Sequence, residues 1–188
     1  MSKIGKKPIK VPQEVKIEKI DGILKIKGPR GETNFSYPED TFNLVFENGE
    51  IKIFPRVEEL DKLDKKTKAL WGTLRALLQN KIIGVTQGFV KTLILQGLGY
   101  SAEVKGNEIF FKLGFSHPVI IEIPMGIEIE VKGEKGRFLI YIKGIEKEEV
   151  GNFAAKIKAL KPADRYHLKG FMYEGEFIPT KPVKKLGK

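Results

Sequence analysis

Gly22-Ile23-Leu24-Lys25-Ile26-Lys27 and Asn107-Glu108-Ile109-Phe110-Phe111-Lys112 are the two stretches that decide the fold, and they stand 85 residues apart. In each, a turn residue leads into a short run whose apolar positions recur at every second residue. That period belongs to a strand with one buried face. The surroundings repeat as well. Tyr37-Pro38 and Ile123-Pro124 lie at a similar offset, as do Trp71 and Phe153.

Outward from the first stretch, strand-like runs are predicted at Val15–Lys19, Ile23–Lys27, Thr33–Tyr37 and Ile51–Phe54. Asp21-Gly22 and Asn48-Gly49 between them are two-residue hairpin signals. A helix is predicted from about Leu60 to Ile82, because Leu63, Thr67, Leu70, Trp71, Leu74, Leu77 and Leu78 recur at helical spacing. Arg75 and Lys81 fall off that stripe or near its end. Around the second stretch the predicted strands are Phe89–Leu95, Tyr100–Val104, Ile109–Leu113, Val119–Ile123, Ile127–Val131 and Phe138–Ile142. A helix from about Glu146 to Leu160 follows, with Val150, Phe153, Ala154, Ile157 and Leu160 as its apolar stripe. Glu146, Glu148 and Glu149 suit the positive end of its dipole.

Strands followed by one helix, twice over, imply an α+β fold made by tandem duplication of a small domain, antiparallel strands packed on a single helix. The expected divisions are residues 1–83 with a basic N-terminal arm, residues 84–161, and a basic, aromatic-containing extension over 162–188. That extension carries Pro162, Pro179 and Pro182 and shows no helix or strand period, so it is expected to be irregular and to gain order against a partner.

Composition narrows the chemistry. A chain of 188 residues can bury one or two working cores. The absence of cysteine excludes disulfides, thiol nucleophiles and Cys-based metal sites, leaving His117 and His167 as the soft ligands. No apolar run approaches the roughly 20 residues of a membrane span. Met1 is followed by Ser2, Lys3, Ile4, Gly5, Lys6 and Lys7 with no apolar run behind them, so a cytoplasmic protein without a secretory signal is expected.

Charge is uneven. Lys and Arg number 34 against 24 Asp and Glu, a net of +10. Residues 1–30 hold +6 of it and residues 161–188 hold +4, so the middle of the chain is neutral. Basic ends on a neutral body fit a polyanion partner, whose counterions Lys and Arg displace. The alternative is that solvated tails carry lysine for solubility alone. In the extension, Arg165-Tyr166-His167-Leu168-Lys169-Gly170-Phe171-Met172-Tyr173 interleaves cations and rings. Cations reach phosphates and rings stack on unpaired bases. The competing reading is a peptide packed back on its own domain.

Gly97-Leu98-Gly99-Tyr100-Ser101-Ala102 satisfies the glycine pattern of dinucleotide sites, but that chemistry needs a helix N-terminus next. The residues that follow alternate like a strand, so the glycines are expected to make a turn or a close backbone contact. His117 has no evident partner to orient it as a general base. No catalytic constellation, cofactor or small-molecule substrate is expected. A nucleotide-dependent enzyme and a free-standing nucleic-acid chaperone are the rival classes.

Several motifs carry a family resemblance: Leu113-Gly114-Phe115-Ser116-His117-Pro118-Val119, Gly97-Leu98-Gly99-Tyr100 with Val104-Lys105-Gly106-Asn107, Leu74-Arg75-Ala76-Leu77-Leu78 with Ile83-Gly84-Val85-Thr86, Ile26-Lys27-Gly28-Pro29-Arg30-Gly31-Glu32, and the opening Met1–Ile9. Together and in order they resemble the bacterial large ribosomal subunit protein six family. The resemblance implies a non-catalytic structural component that binds large-subunit rRNA. It also implies a place near the sarcin–ricin region and the translation-factor docking site, with neighbouring ribosomal proteins at the stalk base.

Candidate rRNA contacts on this basis are Lys3, Lys6, Lys7 and Lys10 at one end and Lys161, Arg165, Tyr166, Lys169, Gly170, Tyr173, Lys181, Lys184 and Lys185 at the other. Ser116 and His117 in the Gly114–Pro118 loop join them. The family usually has Pro-Glu-Pro-Tyr-Lys-Gly-Lys-Gly-Ile/Val-Arg-Tyr where this chain runs from Ala163 to Tyr173. Tyr166, Lys169, Gly170 and Tyr173 match that pattern. His167 replaces a usual Lys, Leu168 a Gly and Met172 a basic residue.

Overall fold

The first half of the chain forms strands β1 (Ile9–Lys10), β2 (Lys16–Ile20), β3 (Ile23–Gly28), β4 (Gly31–Ser36), β5 (Phe42–Glu47) and β6 (Glu50–Pro55), then helix α1 (Lys65–Thr86). The second half forms β7 (Phe89–Gln96), β8 (Ser101–Lys105), β9 (Glu108–Lys112), β10 (Val119–Glu122), β11 (Ile127–Glu134) and β12 (Arg137–Gly144), then helix α2 (Lys147–Leu160) and β13 (Gly170–Tyr173). This is a computed structural model that describes residues 2–20, 22–57, 63–134 and 136–181. The chain falls into two units, Met1–Gly88 with Ile145–Lys147, and Phe89–Gly144 with Glu148–Lys188.

The duplication is visible strand by strand. Sheet β2-β3-β4 corresponds to β10-β9-β8 read in reverse, and β1-β6-β5 to β7-β12-β11, all with antiparallel neighbours. The two opening stretches become the central strands β3 and β9. Leu24 and Ile26 are buried in one, Ile109 and Phe111 in the other, while their alternate neighbours face outward or lie at the margin.

In the first unit, Asn48 (φ +51°) and Gly49 (φ +74°) make the tight turn between β5 and β6, as the Asn-Gly pair requires. Asp64 caps α1, its carboxylate accepting from the Lys66 N–H at 3.0 Å and from the Thr67 N–H. The cap sets the helix start at Lys65, and Ile82 and Val85 extend the buried stripe through Thr86. The helix therefore starts later and ends later than the leucine spacing predicts. Leu63 is buried ahead of the cap, Leu70 is exposed, and Leu60 lies outside the described residues. Trp71 is fully buried and its indole N–H donates to the Ile53 carbonyl at 2.7 Å. Gly5 is needed against that ring, since a Cβ there would come within 2.6 Å of it.

Glu146 precedes α2 instead of opening it. Its carboxylate accepts from Thr33 and from Lys81 Nζ (2.7 Å), which ties the Ile145–Lys147 segment to the first unit.

In the second unit, Leu93, Leu95, Ile109, Phe111, Ile140 and Ile142 close on Val150, Phe153, Ala154 and Ile157 of α2. The expectation of an irregular extension is corrected here. Residues 170–173 add β13 to the edge of β7, pairing Gly170 with Gln96 and Tyr173 with Leu93. Phe171 is fully buried, its ring edge-on to Phe111 with centroids 5.2 Å apart. Four residues are too few to display a period, but one buried aromatic is enough to seat them.

Candidate nucleic-acid interface

In the second unit three loops meet around the side chain of Lys161. The first, joining β7 to β8, is a turn in which the Tyr100 N–H donates to the Gly97 carbonyl (3.2 Å). Tyr100 folds its ring onto Gly97, where a Cβ would stand 2.4 Å away, and Leu98 at the tip is 96% exposed. The second loop, between β9 and β10, begins at Gly114 (φ +76°) and presents a half-exposed Phe115 beside exposed Ser116 and His117. Ser116 Oγ and His117 Nδ1 lie 3.5 Å apart. Lys161 follows α2, and its ammonium donates to the Leu113 carbonyl at 2.8 Å. The same group lies 4.6 Å from the centre of the Phe115 ring and 5.3 Å from that of Tyr100.

The third loop leads from Lys161 to β13. Asp164 organises it, its carboxylate accepting from the backbone N–H of Tyr166 (2.7 Å), His167 (2.7 Å) and Lys169 (3.0 Å). Those N–H donors, that of His167 foremost, hold the Asp164 carboxyl below the usual aspartate range. The turn exposes Arg165, Tyr166, His167 and Lys169 and passes through Leu168 at φ +57°. A leucine in the left-handed region is uncommon. Glycine, which the family resemblance implies at this position, takes that backbone shape without a Cβ penalty.

Gly170 is buried at φ +132°, with its missing Cβ replaced by the backbone of Lys161, Pro162 and Ala163. Tyr173 is partly buried in β13, its ring flanked by Lys158 Nζ at 4.3 Å and Lys91 Nζ at 4.7 Å. Lys158 also pairs with Glu176 at 2.6 Å, which lowers the glutamate's pKa. The Lys181 N–H donates to the Arg165 carbonyl (2.9 Å), holding the backbone of Lys181 against this loop. Ser116, His117, Lys161, Arg165, Tyr166 and Lys169 therefore belong to a loop-rich face of the second unit. Lys184 and Lys185 lie outside the described residues.

Lys3, Lys6, Lys7 and Lys10 are exposed in the first unit. Their arm is pinned by Arg75, which donates to the carbonyls of Lys7 (3.2 Å) and Pro8 (3.3 Å). Leu98, Tyr100 and Phe115 were legible in the family motifs without a site role attached. The signal that marks them is a large apolar side chain next to glycine in a turn.

Such a face suits a polyanion with exposed bases. It offers the exposed cations of Arg165 and Lys169 and the exposed rings of Phe115 and Tyr166. Gly97–Ala102 runs straight into β8, so no helix N-terminus stands ready for a pyrophosphate. Among the described residues no helix is long and apolar enough to cross a membrane.

Comparison with known proteins agrees with the duplication. The family model for ribosomal protein L6 matches twice, over residues 11–88 and 96–174. Large ribosomal subunit protein uL6 of Dictyoglomus thermophilum is 45% identical over 187 residues, covering 98% of both chains. The uL6 of Thermotoga maritima is 37% identical over 187 residues, 98% of this chain and all of its own. That of Bradyrhizobium sp. is 42% identical over 186 residues, covering 98% and 99% of the two chains. With both halves matched and relatives aligned end to end, the chain belongs to the ribosomal protein L6 family, a structural and non-catalytic one.

Proposed function

We propose that this protein is a structural component of the large ribosomal subunit that binds large-subunit rRNA, working in the cytoplasm where ribosomes assemble. The observation that carries the reading is the loop-rich face around Lys161. There Arg165, Lys169, His167 and Ser116 offer donors to phosphate or ribose, and Phe115 and Tyr166 offer exposed rings. The exposed lysines of the N-terminal arm supply a second set of phosphate partners. A-form RNA shows little sequence to side chains, so binding rests on backbone charge and shape.

Within the subunit the proposed place is beside the sarcin–ricin region, close to the stalk base and the site where translation factors dock. Hydroxyl radicals generated from iron chelates tethered at Ser116 and at Lys3, each changed to cysteine, test it. Cleavage is expected in and around the sarcin–ricin stem. Cleavage confined to a distant rRNA domain would refute the placement.

A further inference from the structure

Lys161 stands among the residues expected to neutralise phosphate, yet its surroundings give it other work. Its ammonium reaches the Leu113 carbonyl at 2.8 Å and lies over the rings of both Phe115 and Tyr100. The side chain is only partly exposed. Tyr100 is in turn trapped against Gly97, and Gly114 passes so close that a Cβ there would sit 3.4 Å from the ring. The Lys161 carbonyl accepts the Phe171 N–H at 2.8 Å, fixing the residue at the root of the third loop.

We propose that Lys161 is a positioning residue that holds the Gly97–Tyr100 turn and the Phe115–His117 loop in their RNA-binding arrangement, and that it does not itself neutralise a phosphate. An ammonium over two rings is attracted to both, and a donor held on a carbonyl keeps a loop from sampling other shapes. Preorganised loops forfeit less conformational entropy on binding. This inference rests on the rRNA-binding reading for its affinity arm, but its loop arm concerns the free protein.

Two measurements on the full-length chain decide it. In Lys161→Met, which retains the length of the stem, amide exchange of Tyr100, whose N–H donates to the Gly97 carbonyl in the first loop, is expected to rise several-fold in the absence of RNA. Affinity for an rRNA fragment spanning the sarcin–ricin region should fall about tenfold at every salt concentration. The slope of log affinity against log salt should match that of the unaltered protein. Lys161→Arg, which restores a donor and a cation over the rings, should recover both.

A slope reduced by about 0.7 to 0.9, the signature of one lost phosphate contact, would overturn the proposal. So would unchanged exchange in the loop. If Lys161→Met does not fold, Tyr100→Leu serves in its place, with the same rise in loop exchange and the same unchanged slope expected. If the unaltered protein ignores the RNA fragment, the rRNA reading fails, while the exchange data still stand for or against the clamp.

Discussion

At Gly170 a Cβ would lie 2.5 Å from the Lys161 carbonyl oxygen and 2.7 Å from that of Pro162, on a backbone at φ +132°. Gly170→Ala should therefore cost at least the 1–3 kcal/mol, roughly, of a strained conformation and loosen β13, as urea unfolding will show. A neutral result would mean the backbone at 161–163 yields freely. Trp71→Ala should cost about 3–5 kcal/mol, since a fully buried indole leaves a cavity and an unpaired Ile53 carbonyl. Asp164 gives a pH prediction. Its folded pKa is depressed, so its hold on the loop is fully present above the ordinary aspartate value and is lost as pH falls through the folded one. The amide signals of Tyr166, His167 and Lys169 should titrate together, below the ordinary aspartate range. Separate or higher midpoints would contradict the shared carboxylate. Trp71 was legible as core because helical spacing names a buried face. The geometry at Lys161 was not, because a lysine's sequence says nothing about which carbonyl and which rings it will meet.

Elements with a clear period or a turn signal read well from sequence: β3, β9, the Asn48-Gly49 hairpin and the apolar stripe of α2 stand where alternation and spacing put them. Those with neither did not. β1 has two residues and β13 four, too short for any pattern, and β5 does not alternate, since neighbouring Leu44 and Val45 are both partly buried and Phe46 is half-exposed. The start of α1 follows from one cap at Asp64, which outweighs the leucine before it. These misses change an expectation about the chain end. With Phe171 fully buried on Phe111, removing residues 162–188 should destabilise the second unit rather than merely weaken RNA binding. Phe171→Ala alone should cost about 3–5 kcal/mol. Far-UV circular dichroism under urea reads both variants, and unchanged midpoints would show that β13 is ornamental.

For the molecule as a whole, the excess of positive charge at both chain ends makes RNA affinity a question of ionic strength. If about six phosphates are neutralised, log affinity should fall with log salt by about 0.7 to 0.9 for each. A flat dependence would place the binding energy in apolar contacts such as Leu98 and Phe115. The most direct measurement is co-sedimentation of the purified chain with large subunits that lack it, through a sucrose gradient at physiological ionic strength. The protein is expected to travel with the particle in a one-to-one ratio and to be released progressively as the salt is raised. Recovery at the top of the gradient, with large subunits left bare, would contradict the account.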